Sequence, residues 1–161
     1  MGYCHYWGRP AELPLCGFRA LVEECVSLRR VLGVPRLGLF GGVKIGNAFG
    51  GGRPIFREDV ICFNGRPRHE PLIIHRRVHK PEQDPGRFGL YWDFVKTNQK
   101  PYDELVVAVL VSFKMQFPGT ALSSDGGKGD WARGLALYER ATGRQAPGFD
   151  VLARPQEAAV P

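Results

Sequence analysis

Along the chain the apolar positions change their period several times, and each change predicts an element. Residues 3–7 alternate, with Tyr3, His5 and Trp7 on one side and Cys4 and Tyr6 on the other, as in a short strand that Arg9-Pro10 ends. From about 17 to 32, Phe18, Leu21, Val22, Cys25, Leu28 and Leu32 recur at helical spacing while Glu23, Glu24, Arg29 and Arg30 fall mostly elsewhere. That pattern predicts an amphipathic helix, stopped by Gly33 and Pro35. Seven glycines between 36 and 54 forbid a regular helix and predict a loop. RPIFREDVICFNG reads as strand and ends at Asn64-Gly65, a dipeptide that predicts a hairpin turn. PLIIHRRVH is the next strand, with Leu72, Ile74, Arg76 and Val78 on one face and Ile73, His75, Arg77 and His79 on the other. FGLYWDFVKT follows as a further, aromatic strand.

A second helix is expected to start near Asn98, with Pro101, Asp103 and Glu104 in its first turn, where the helix dipole favours acid. Its interior, LVVAVLVSFKMQF, is apolar almost all round, which predicts the most buried helix of the fold. TALSS reads as a short strand, DGGKGD as a turn, and Trp131, Leu135 and Tyr138 at i, i+4 and i+7 as a last helix closed by Gly143. Residues 1–143 are thus expected to form one α+β domain of order β-α-β-β-β-α-β-α, about three helices on a mainly antiparallel sheet. The Ala- and Pro-rich residues 144–161 are expected to be a poorly ordered tail.

Composition adds little to this picture: 161 residues, 43% hydrophobic and 24% charged, suit one ordinary domain with its own core. The net charge of +6 invites a nucleic-acid reading, but cations and acids are interspersed. The densest basic stretch is 53–87, with Arg53, Arg57, Arg66, Arg68, Arg76, Arg77, Lys80 and Arg87 against five acids; it is where an anionic partner would dock, or simply a solvated surface. Cys4, Cys16, Cys25 and Cys62 show neither zinc-site nor disulfide-framework spacing and read as reduced. With no signal-peptide pattern at the N-terminus and a longest near-apolar run, 105–113, far below the roughly twenty residues of a membrane span, the chain reads as cytoplasmic.

MGYCHYW, EDVICFNG, His69-Glu70, WDFVKTNQKPYD and SSDG followed by Trp131 resemble a family of small proteins from tailed bacteriophages and prophages that begin Met-Gly-Tyr-Thr-His-Tyr-Trp. The resemblance runs from residue 1 to about 143 and implies an origin without an activity. Two departures are Cys4 in the threonine position, which removes a hydroxyl, and HEPLII where an aromatic often follows the acid.

The same motifs supply candidate chemistry. Tyr6 and Trp7 could stack on a base, Asn64 could read a base edge, and Lys96 or Lys100 could meet a phosphate, with Tyr102, Asp103 and Ser124 at the adjoining strand and helix ends. HYW is equally readable as an aromatic core strand, KPYD as helix-start grammar, and SSDG as a cap and turn before the last helix. Candidate acid-base groups are His5, His69 and Asp125, with Ser123, Ser124, Cys4 and Cys62 as nominal nucleophiles. A metal site drawn from His5, His69, Glu70, His75 and His79 has no ligand spacing behind it; in an extended strand His75 and His79 would stand roughly 13 Å apart. No cofactor is implied. The sequence points first to a binding protein for a small anionic, nucleotide-like ligand or a host protein, without a membrane. A nucleotide-directed hydrolase or transferase, and a nucleic-acid-binding protein using 53–87, are the alternatives.

Overall fold

A computed structural model describes residues 2–33, 42–49, 51–79 and 84–153. Strand β1 (Cys4–Arg9) leads into helix α1 (Leu15–Leu32), which buries Phe18, Leu21, Cys25 and Leu28, the residues its periodicity selects. Four short strands follow: β2 (Lys44–Gly46), β3 (Ile55–Phe56), β4 (Val60–Arg66) and β5 (Leu72–His75). Beyond a 3-10 turn at Arg87–Gly89 come β6 (Tyr91–Lys96), α2 (Asp103–Gln116), β7 (Ala121–Ser124), α3 (Lys128–Thr142) and α4 (Phe149–Ala153). The fold is α+β, and its strands form two antiparallel sheets where the sequence suggests one.

In the first sheet β1 is central, flanked by β6 and β7. Its register sets Tyr6 opposite both Phe94 and Ser123, and His5 opposite Val95 and Ser124. In the second, β5 lies along one edge of β4 while β2 and β3 follow one another along the other. With both edges paired, β4 is buried from Val60 to Gly65, as its unbroken apolar run requires. The segment at His69-Glu70 joins the sheets: the Glu70 N–H donates to Lys96 O at 3.2 Å, and the Lys96 N–H to Glu70 Oε2 at 3.0 Å. On the same outer margin of β6, the Phe94 N–H donates to Asp93 Oδ1 at 2.8 Å.

Helix α2 is buried from Asp103 to Lys114, as its all-round apolar interior predicts. It packs against both α1 and α3, which also touch each other. Glu104 is buried at the α2–α3 contact, 3.0 Å from Arg133 and 3.7 Å from Arg140, and Gly134 of α3 leaves room for Val107. At the other end of α2, Lys114 donates to Pro118 O at 2.7 Å and to Thr120 O, tying the helix to the turn that leads into β7.

Four expectations are corrected. Asn64-Gly65 is not a turn but the interior of β4, where Gly65 abuts the Tyr102 ring, which a Cβ would overlap. The loop expected over 36–54 contains β2 within its described part. Helix α2 starts at Asp103, because Asn98 and Gln99 adopt left-handed backbone at φ 49° and 53° and the chain reaches Pro101 through a turn. The tail expected from residue 144 includes α4, whose Leu152 is fully buried; residues 154–161 lie outside the described residues.

His75 and His79 are also closer than extended backbone would allow. Strand β5 ends at His75, residues 76–78 turn to meet residues 11–13, and the two rings lie edge to face with centroids 4.1 Å apart. Burial, then His79 and Arg9, hold the His75 imidazole below its ordinary pKa, against weaker pulls from Asp93 and Asp59. A folded-state pKa below the unfolded one means that the unfolded chain takes the proton first. Stability is therefore full above the ordinary value of about 6.5 and falls as pH drops through it toward the lowered one. Urea titrations of wild type and His75→Gln between about pH 5 and 8 are expected to show a shallower acid-side decline in the variant.

Candidate functional site

His5 and Trp7 project from β1 toward the helices, and both are buried. His5 is closed in by Tyr3 and Trp131, whose rings meet it edge-on at centroid distances of 5.0 and 5.6 Å. Its Nε2 lies 2.8 Å from Asp103 Oδ1 at the start of α2, and its Nδ1 3.0 Å from Ser124 Oγ at the end of β7. Asp103 Oδ1 also accepts from Thr97 Oγ1. In the neutral ring a carboxylate partner places the proton on Nε2, which leaves Nδ1 to accept from the Ser124 hydroxyl.

The network continues on both sides. The Gly126 N–H donates to Ser124 Oγ at 3.0 Å, and the Cys4 N–H to Asp125 Oδ2 at 2.9 Å. The Tyr3 hydroxyl presses on Gly126, and burial together with Asp103 pushes its pKa up to about 12. Beyond Lys96, His69 Nδ1–H donates to Lys96 O at 2.7 Å, and Asn64 Nδ2 donates to His69 O at 3.0 Å and to Ala48 O at 3.1 Å. The buried Tyr102 donates its hydroxyl to Glu70 O at 2.6 Å. HYW, FNG, KPYD and SSDG therefore meet in one hydrogen-bonded belt joining the two sheets and the head of α2.

Several candidate residues take different roles from those their types suggest. Trp7, 1% exposed, is core and cannot stack on a ligand. Asn64, also 1% exposed, turns its amide to backbone carbonyls and not to a base edge. Tyr102 and Asp103 are likewise held inward. SSDG does not cap α3 through its serine or aspartate: Asp130 Oδ2 accepts the Gly127 N–H at 2.8 Å. Lys96 and Lys100 are half-buried, and Lys96 runs its stem along Gly2. Of the acid-base candidates, His5, His69 and Asp125 each engage a different partner. Among the described residues no three His, Cys, Asp or Glu groups gather as metal ligands would, and no helix is long and apolar enough to cross a membrane.

Ser124, His5 and Asp103 do line up as nucleophile, base and orienting acid. Three features oppose catalysis there. The imidazole is fully buried, and an N–H occupies a lone pair of the serine hydroxyl. The N–H groups of Asp125, Gly126 and Gly127, which would otherwise form an oxyanion hole, are bound to Cys4 O, Ser124 Oγ and Asp130. In this arrangement the three side chains tie β1, β7 and the head of α2 together.

The opposite face of the first sheet is different in kind. Tyr6 of β1 and Trp92 and Phe94 of β6 share it, with Lys96 at its end and Trp92 lying over Gly8. Phe94 is 54% and Trp92 37% exposed, whereas Trp7 and Trp131 are each 1% exposed. The Tyr6 hydroxyl lies against the Cys4 thiol and the Asp125 carboxylate, which raise its pKa. Trp92 and Phe94 were legible as site residues from strand parity alone, since alternation along WDFVK puts them on one side with Lys96.

Comparison with protein-family models, with curated proteins and with solved structures finds no match.

Proposed function

We propose that the protein is a binding protein for an anionic, nucleotide-like ligand, and that the open face of Tyr6, Phe94 and Trp92 receives the base. One observation carries this reading: three aromatic side chains stand together, accessible, on a sheet face while the other two tryptophans are buried. Aromatic faces stack on any base, and Lys96 at the end of the stripe offers a cation to the phosphate. The polar belt beneath is the rigid mount that keeps the face in place. The phage and prophage resemblance adds that the ligand would be one met inside a bacterial host.

Trp92 makes the test direct, because it is the accessible tryptophan. Titration with a panel of mono- and dinucleotides is expected to quench its emission, and Phe94→Ala to weaken binding on the order of tenfold, given about 1–3 kcal/mol per stacked base. A flat response across the panel at millimolar nucleotide would rule the reading out. The Ser124–His5–Asp103 alignment favours one alternative, a nucleotide-directed hydrolase or transferase; nucleotide turnover that disappears in Ser124→Ala would establish it.

A further inference from the structure

Phe49, at 80% exposure, is the most accessible of the large apolar side chains described, yet its backbone is closely held. The Asn47 N–H donates to Gly51 O at 2.8 Å, and the Phe49 N–H to Asn47 Oδ1 at 2.9 Å. Arg68 Nη1 donates to Phe49 O at 3.1 Å, and Asn64 Nδ2 to Ala48 O at 3.1 Å. Gly52 completes the turn at φ 59°. Four hydrogen bonds thus hold the backbone from which the exposed ring projects.

Cations adjoin the loop. Lys44 and Arg66 face each other across β2 and β4, the Arg66 guanidinium runs beside Gly51, Arg68 holds the Phe49 carbonyl, and Arg53 follows the loop. All four cations are exposed. Of the acids in the basic stretch, Glu58 and Asp59 sit at the β3–β4 turn, 3.0 Å from Arg19 and 3.4 Å from Arg57, and Glu70 accepts the Lys96 N–H. Arg76 and Arg77 pair with Glu12 at 2.5 and 3.0 Å. Arg57, Arg76 and Arg77 are thus tied to acids, while Arg66 and Arg68 reach the loop that carries Phe49.

We infer that the Phe49 loop is a contact site for single-stranded nucleic acid, with an unpaired base stacked on Phe49 and phosphates met by Lys44, Arg53, Arg66 and Arg68. A preorganised aromatic ring flanked by cations is what sequence-tolerant single-strand binding needs, and a duplex, whose bases are already stacked, cannot use the ring. This site stands apart from the Trp92 face and does not depend on it.

The test is fluorescence anisotropy of labelled dT12 with the full chain, in the Phe94→Ala background so that the other face is silenced. Binding is expected to weaken with salt, at a log–log slope near −3 if all four cations release counterions. Phe49→Ala is expected to weaken it roughly tenfold with little change in slope. Lys44→Ala is expected to flatten the slope by roughly 0.7. Absence of dT12 binding, equal binding of a twelve-base-pair duplex, or Phe49→Ala binding dT12 like its parent would each overturn the inference. Mononucleotide quenching of Trp92, measured in Phe49→Ala with Phe94 intact, reports separately on the sheet face.

Discussion

Asp103→Ala is expected to destabilise the protein by about 3–5 kcal/mol, the usual effect of deleting one member of a buried, hydrogen-bonded pair. Asp103 Oδ1 is the shared acceptor of His5 Nε2 and Thr97 Oγ1, and its loss strands both donors where water does not reach His5. For a chain of this length such a change lowers the melting temperature by about 10 °C or more. Asp103→Asn keeps an oxygen for both donors and is expected to cost only about 1 kcal/mol. Urea unfolding of the pair of variants measures both; equal, small losses would show that the belt contributes little.

Trp131→Ala is expected to cost about 3–5 kcal/mol for a different reason, the cavity left by a large buried ring. Trp131 is 1% exposed and stands between His5 and Phe149, whose ring meets it edge-on at 5.6 Å. Removing it takes away both one wall of the histidine and the seat of α4. Hydrogen exchange should therefore find the amides of Val151 and Leu152, both bonded to Gly148 O, less protected in the variant while α1 remains protected. Protection of α4 equal to wild type would show that Leu152 alone holds that helix.

Local pattern carried most of the fold. The i, i+4 spacing of α1 names its buried face, the parity of β1 separates His5 and Trp7 from Tyr6, and the all-round apolar run of α2 marks the central helix. What local pattern misses is set by distant partners. Asn64-Gly65 reads as a turn because those residues favour left-handed backbone in isolation; in the fold Asn64 serves two carbonyls and Gly65 makes room for Tyr102. The belt was legible as a set of residue types, His5, Asp103 and Ser124 among them. Their pairing was not, because the partners are 98 and 119 residues apart and no spacing rule spans such distances. Thr97 gave no signal at all, and Phe49 was hidden in a glycine-rich stretch whose order comes from Arg68 and Asn64.

An accessible aromatic sheet face invites self-association, and the margin of β6 opposes one route to it. A strand adding to that edge would need the amides of Phe94 and Lys96, and Asp93 and Glu70 already occupy them with carboxylate oxygens. Edge-to-edge growth of the sheet is blocked at these two positions by charged acceptors that an incoming backbone carbonyl would have to displace. The stripe of Tyr6, Phe94 and Trp92 can therefore stay exposed without the β6 edge beside it becoming a template for a further strand.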